Sequence, residues 1–386
     1  MWDKKTAYRF IFLMGIVSLC MDIVYEGARS VLGQFMATLG ASAIAVGVVA
    51  GVGEALGYFL RFLFGYLADR LRLYWFFTFL GYFLTGLSVP SMSLAVTWYH
   101  VALLTFMERL GKAIRNPARD TLLSYATATV GHGRGFGLHE FVDQLGAVSG
   151  PLLVAVLLGV TGSYRSSLAL LILPALISLA LLWVAYRSFP YETPRRETDQ
   201  LRTSFPRTFF IYVLYVFVFS MSSVPFALIG YHLKTHLHAQ DIHIPLAYSL
   251  AMAVDAVSAL VLGIVFDRIG MRSLILGMLV SIPSVPIVFL TGHTWWWVGV
   301  VLWGAGIGLQ ESLLRSVIPH LTPHTRRGTA YGLLHASLGF GSFLGGLLLG
   351  KLYERSVVQM VIFSLALQFV SLLLLLVMDY TQRRAA

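Results

Sequence analysis

Charge is scarce in this sequence. Asp, Glu, Lys and Arg make up 12% of its 386 residues, against 57% hydrophobic, and the mean hydropathy is +0.76. So little polar surface cannot clothe one or two soluble domains, which makes the bilayer the chain's solvent. Cysteine is nearly missing: Cys20 stands alone, which excludes a disulfide framework and a cysteine-based metal site. There is no H-E-x-x-H, no P-loop, no G-x-S-x-G and no conspicuous Ser/His/Asp set, so hydrolytic and ATP-driven chemistry have no visible seat. No enzyme activity and no cofactor are expected. Acid is scarcer than base, 18 residues against 28.

Long apolar runs are what the sequence does have. A helix crosses the hydrocarbon core with roughly 20 apolar residues, and only helices or closed barrels satisfy every backbone polar group there. Unbroken stretches such as VIFSLALQFVSLLLLLVM, 361–378, lack the alternation of a barrel strand. The pattern predicts an all-α membrane protein with spans over 8–27, 42–66, 73–93, 98–117, 136–159 and 165–187, then 208–231, 245–266, 272–291, 295–317, 328–350 and 356–379. That gives twelve transmembrane helices in two six-helix bundles, 1–187 and 208–386. They are joined by a polar, proline-bearing linker, 188–207. Asp22 and Glu26 follow the first apolar stretch and no A-x-A site does, so that stretch is expected to remain as a span rather than a removed signal.

Basic residues fix the expected orientation. With the N-terminus inside, the inner segments hold twenty Lys and Arg, among them Lys4, Arg70, Lys112, Arg119, Arg268 and Arg384. The outer ones hold five: Arg29, Arg165, Lys234, Lys351 and Arg355. This bias predicts an inner-membrane protein with both termini cytoplasmic. The net charge of +10 is then a topology signal facing anionic headgroups, and no nucleic-acid partner is expected.

The two halves repeat. GYLADRLRLYW (65–75) lies between spans 2 and 3, and GIVFDRIGMRS (263–273) between spans 8 and 9. RDTLLS (119–124) matches QESLLR (310–315), and RGFGLHE (134–140) matches GTAYGLLH (328–335). Duplicated halves of this kind place a substrate site where they meet.

With twelve spans, the 6+6 duplication and the G-x-x-x-D-R loops, the chain resembles the major facilitator superfamily of secondary transporters over essentially its whole length. R-x-G-K-x-x-R-x-P-x-R-D, read from Arg109 to Asp120, looks like a bacterial and archaeal-type subgroup. The resemblance implies a cytoplasmic gate at Gly65, Asp69 and Arg70 and at Gly263, Asp267 and Arg268. The first copy departs from the family signature, with Arg72 where a turn glycine is usual and Leu73 and Tyr74 where basic residues are usual. The bland alternative is a solvated turn that anchors topology.

The stretch ERLGKAIRNPARD (108–120) concentrates charge behind an apolar run. Lys112, Arg115 and Arg119 are expected at the membrane end as anchors, with Pro117 ending the helix. Glu108 and Arg109 are expected deeper, where an ionised group needs a partner. Arg109 also matches the arginine of span 4 that the resemblance links to proton coupling; a pair that serves packing alone is the alternative. Further intramembrane charge falls at Asp22, Glu26, Glu54, Arg61, Glu140, Asp143, Asp255, Glu311 and Arg315, with His139 and His335 beside some of it. Eight acids against three arginines leave carboxylates that must take up protons, face water or meet a cation. Asp22, Glu26 and Arg109 are the expected coupling cluster, with Glu140 and Asp143 next.

Gly146, Gly150 and Pro151 resemble a G-x-x-x-G-P motif of antiporters; its physical content is close helix contact and a bend. Gly341 and Gly345 offer a matching face for packing. His232, His236, His238 and His243 cluster near the outer surface, where they are interfacial polar groups before they are a metal or pH site, and no metal is expected. The expected function is alternating-access secondary transport by a monomer, moving a small molecule with protons. Export of an amphipathic or cationic organic molecule leads; import of a small metabolite or chelated metal competes. A transporter-like receptor without flux is the alternative from another class.

Overall fold

The computed structural model describes residues 3–130, 132–189, 205–292, 295–308, 313–322 and 327–385. Most of the expected linker, 190–204, and Glu311 lie outside them, as do the side chains of Asp69, Asp267 and Arg315. Every described element is helical, the outcome expected where backbone N–H and C=O groups have no water to bond. The first half holds α1 (Lys4–Thr38), α2 (Ala43–Leu71), α3 (Tyr74–Ser91), α4 (Trp98–Val130), α5 (His132–Thr161) and a two-piece span, α6 (Tyr164–Leu170) with α7 (Ile172–Ser188). The second half holds α8 (Arg207–Ser222) with α9 (Phe226–Thr235), α10 (His243–Ile269), α11 (Arg272–Ser281) with α12 (Ser284–Leu290), α13 (Trp296–Gly308) with α14 (Leu314–Leu321), α15 (Arg327–Arg355) and α16 (Val357–Ala385). These make twelve crossings, nine of them long and apolar enough to span by length and composition among the described residues.

Local chemistry explains several helix ends and breaks. Asp3 caps α1, its Oδ1 accepting from the Thr6 amide at 3.0 Å. Pro225 and Pro283 follow the α8/α9 and α11/α12 breaks, where a residue without an amide proton interrupts the ladder. At the first break Trp303 Nε1 donates to Val224 O at 2.9 Å, so that carbonyl is not stranded. The expectation that Pro117 ends span 4 is corrected: α4 runs through it to Val130. An interior proline costs about 3 kcal/mol, but Ala113, Ile114, Arg115, Ala118, Leu122 and Leu123 are all buried around it, and that packing holds the helix together.

Side chains are distributed inside out. Phe59 is 71% and Val160 81% exposed, while Arg115 is 1% exposed; apolar groups face the lipid and charge is drawn inward. Lipid tails are as apolar as leucine, so small residues and close contact must hold the helices together.

The chain forms two compact units. The first holds Met1–Gly40, Leu56–Arg195 and Gln240–Ser249; the second holds Ala41–Ala55, Arg196–Ala239 and Leu250–Ala386. The early part of α2 thus belongs with the second half of the sequence, and the early part of α10 with the first. In the first unit α5 lies on α1: a Cβ on Gly146 would sit 2.5 Å from Leu19 O, and one on Gly150 2.7 Å from Ile23 O. In the second, α15 lies on α8 in the same manner, with Gly341 against Phe217 O at 2.5 Å and Gly345 against Met221 O at 2.5 Å. The duplicated sequence therefore packs twice by one device. The second unit adds a glycine contact of its own, Gly47 and Gly51 of α2 against Gly346 and Ser342 of α15.

The turn after the G-x-x-x-D-R segment is built alike in both halves. Gly270 has φ +62, and Arg72, which replaces the usual glycine, has φ 55. Left-handed backbone costs a non-glycine residue roughly 1–2 kcal/mol, whereas glycine costs about 0.5–1 kcal/mol more chain entropy on folding. Arg72→Gly should therefore leave thermal stability nearly unchanged, while Gly270→Val should lower it by about 1–2 kcal/mol. Melting curves of the two purified variants check this; an equal loss in both would contradict it.

Candidate functional site

Three helices of the first unit converge on one charged cluster. Asp22, Tyr25 and Glu26 recur at i, i+3 and i+4 on α1 and share a face. Asp22 is 4% and Glu26 6% exposed. From α5 come His139 and Asp143; from α4 come Glu108, Arg109, Lys112, Arg115 and Arg119. The glycine contact between α1 and α5 sets the spacing: the Cβ of Asp22 lies 2.9 Å from where a Cβ on Gly146 would stand.

The carboxyls of Asp22 and Asp143 lie close to each other, and Asp143 Oδ1 is buried with no hydrogen-bond partner. Arg115 Nη2 stands 4.0 Å from Asp22 Oδ1, with its guanidinium over the Tyr82 ring at 4.5 Å. Glu26 takes the Tyr248 hydroxyl at 2.6 Å and Arg29 at 3.3 Å. Lys112 Nζ lies 3.9 Å over the Tyr25 ring, a cation–π contact worth about 2 kcal/mol when desolvated. Arg119 donates to Ser18 Oγ at 3.0 Å, and the same oxygen meets His139 Nε2 at 3.2 Å and Tyr82 OH at 2.9 Å. Glu108 and Arg109 pair at 3.4 Å, leaving Glu108 Oε1 buried without a hydrogen bond.

This arrangement corrects the expected charge balance. Lys112, Arg115 and Arg119, read as anchors at the membrane end, reach the buried cluster, Arg119 because α4 does not stop at Pro117. Asp22, Glu26, Glu108, Asp143 and, on Arg119, Asp120 then face Arg29, Arg109, Lys112, Arg115 and Arg119, five against five, and the acid excess disappears here. What remains is more specific: two neighbouring carboxyls, Asp22 and Asp143, whose charges repel each other.

The other expected residues are dispersed. Glu140 is exposed on α5, and Glu54 is half-buried on the part of α2 that belongs to the second unit. Asp255 is buried in α10 of the second unit. Arg70 and Arg268 are exposed at the ends of α2 and α10, and a Cβ on Gly65 would meet the Pro117 ring at 3.3 Å. Pro151 lies inside α5. His139, Glu140 and Asp143 can bring one ligand atom each within 4.8 Å of the others, but Arg119 shares the Ser18 oxygen with His139, and a dication beside a guanidinium is repelled. Of the four histidines, His232 and His236 turn their Nδ1 atoms to one hydroxyl, Tyr353 OH, at 2.9 Å each.

Sequence reading missed Tyr25, Tyr82, Tyr248 and Ser18 as partners. The i, i+4, i+7, i+11 spacing of Glu108, Lys112, Arg115 and Arg119 was the available signal for one charged face. Nothing local in the sequence marks Tyr248, 222 residues from Glu26. Tyr248→Phe should strand a buried carboxylate oxygen and cost about 1–3 kcal/mol. The exposed Tyr66→Phe should cost nothing. Thermal unfolding of both measures the difference, and equal melting temperatures would remove the Glu26 contact from the account.

A lipid-facing helical array with a paired, buried charge cluster in its interior defines a membrane transport protein. The Major Facilitator Superfamily model matches residues 14–346, and the chain belongs to that family; it is a multi-pass secondary transporter of small molecules, not an enzyme. An uncharacterized protein of Mycobacterium tuberculosis is 39% identical over 379 residues, 96% of this chain and 93% of the relative. An uncharacterized MFS-type transporter of Methanocaldococcus jannaschii is 25% identical over 378 residues, 95% of this chain and 94% of the relative. Among solved structures, the peptide transporter POT in complex with sulfate has TM-score 0.80 at 14% identity, covering 100% of this chain and 99% of that one. The nucleoside transporter NupG has TM-score 0.71 at 15% identity, covering 96% and 98%. At such identities these two likenesses show the fold alone.

Proposed function

We propose that this chain is a proton-coupled exporter, an antiporter of a small amphipathic or cationic organic molecule, working by alternating access between lobes 1–187 and 208–386. The observation that carries the coupling is the close approach of α5 to α1 at Gly146 and Asp22, which sets the Asp22 and Asp143 carboxyls side by side among buried cations. Two carboxyls in contact hold one proton between them, and releasing it to one side leaves like charges that must separate or find cations. Arg115, 4.0 Å from Asp22, is placed to take that charge. Glu26, Glu108 and Arg109 form the rim of the same cluster, with Glu140, Glu54, Asp255, Glu311 and Arg315 as outlying charges. The G-x-x-x-D-R segments at Gly65, Asp69, Arg70, Gly263, Asp267 and Arg268 act as the gate on the inner side. The protein sits in the inner membrane as a monomer with both termini cytoplasmic.

One observation favours a second reading. Lys112 has no carboxylate within ion-pair distance among the described residues and rests on an aromatic ring, so it is free to meet an anionic group on a metabolite entering with protons. Vesicles carrying the purified protein separate the two. An imposed pH gradient with a dye inside should report proton movement when substrate is added, and the side on which substrate accumulates gives the direction. Substrate-independent proton movement, or binding without any flux, would end the transporter-coupling proposal.

A further inference from the structure

Asp143 Oδ1 is closed to solvent, and a proton held there needs a way to water. Two neighbours on α5 stand beside it. His139 precedes Asp143 by one helical turn, at i and i+4, and Glu140 at i and i+3, so the Asp143 side chain lies between theirs on one side of the helix. One ring nitrogen of His139 and one carboxylate oxygen each of Glu140 and Asp143 lie within 4.8 Å of one another. Burial falls in steps along this set: His139 is 3% exposed, and Glu140 is exposed. An ionised side chain is costly against hydrocarbon, so the exposed side of Glu140 meets water.

Such separations suit proton transfer. Two hydrogen bonds of about 2.8 Å meeting at a water span roughly 4.6 Å, so a single water can join these atoms. The His139 ring is held in position: its Nε2 meets Ser18 Oγ at 3.2 Å, an oxygen that Tyr82 OH also meets at 2.9 Å and to which Arg119 Nη1 donates at 3.0 Å. The transfer balances. An O–H bond on Asp143 breaks and one on Glu140 forms, across a water or by way of the His139 ring, which ends neutral as it began. Glu140 then gives the proton to bulk water. The negative charge gained by Asp143 stands beside Asp22 of α1 and faces Lys112, Arg115 and Arg119 of α4.

We propose that Glu140 and His139 form the path by which a proton moves between the buried Asp22–Asp143 pair and water. The proposal rests on the proton-coupled reading above and adds to it the residues through which the proton passes.

The test follows the proton itself. Full-length protein in nanodiscs is switched from H2O to D2O buffer at neutral pH, and the carboxylic C=O band of the pair is followed by time-resolved infrared spectroscopy. In Glu140→Gln and His139→Gln the band should keep its frequency, while its deuterium shift slows by about a hundredfold, the low end of what a positioned proton donor or acceptor contributes. Formate, a small carboxylate, should restore the rate in Glu140→Ala. Asp379→Asn, which removes a carboxylate from α16, should exchange as the wild type does. If His139→Gln does not fold, Glu140→Gln and the formate rescue carry the comparison. Exchange as fast as wild type in the glutamine variants, equal slowing by Asp379→Asn, or formate without effect would each overturn the path. A wild type without that band sinks the shared-proton reading and this path with it; a band whose exchange ignores the variants sinks the path alone.

Discussion

Asp143→Asn should abolish accumulation of substrate against its gradient while the protein still binds and equilibrates it. The asparagine amide can hydrogen-bond to Asp22, and the glycine contact between α1 and α5 survives, but no proton can be released from the amide. A coupled carrier with a pH difference of one unit has about 1.4 kcal/mol per proton at its disposal, a tenfold concentration ratio. The variant has none of that drive, and its ratio should fall to one. Asp22→Asn should behave alike if, as proposed, the pair shares one proton. Radiolabelled or fluorescent substrate in vesicles gives the ratio directly. Wild-type accumulation in both variants would remove the pair from coupling, and loss of binding in both would make it a structural element instead.

Gly150→Leu is the second large effect, on stability and function together. A Cβ there would stand 2.7 Å from Ile23 O and 2.9 Å from Ile23 Cα, and backbone atoms cannot move aside as a side chain can. The helices must part, forfeiting contact along α1 and α5 and carrying Asp22 away from Asp143. Overpacking of this kind costs typically 1–3 kcal/mol, occasionally more. Gly345→Leu, against Met221 O at 2.5 Å, should match it in the second unit. Gly57, which has nothing within 4 Å, is the control: Gly57→Ala should be neutral or stabilising by up to about 1 kcal/mol. Melting of the purified variants, with gel filtration for dispersity, tests the set. A stable, monodisperse Gly150→Leu would show that the close approach of α1 and α5 does not hold the unit together.

The twelve crossings were legible in the sequence because each needs only length and hydropathy, which survive without knowledge of neighbours. The α5/α1 contact was half legible: Gly146 and Gly150 signal a close partner but do not say which helix it is. The breaks at Pro225 and Pro283 fall inside the spans 208–231 and 272–291, which were expected to run unbroken, whereas Pro117, expected to end its helix, leaves α4 unbroken; tertiary packing decides whether one missing hydrogen bond ends a helix. The same continuation of α4 keeps Arg119 in the cluster beside Lys112 and Arg115, and the apparent acid excess disappears there. Asp22 and Glu26 could be singled out as buried charge on α1; their partners Asp143 and Tyr248 come from helices distant in sequence, and no spacing rule links them.

Infrared difference spectroscopy between wild type and Asp143→Asn at neutral pH addresses the shared proton most directly. A proton held between Asp22 and Asp143 should give a carboxylic C=O stretching band that disappears in the variant and shifts on deuteration. A wild-type spectrum showing only ionised carboxylate at these positions would contradict the account at its centre.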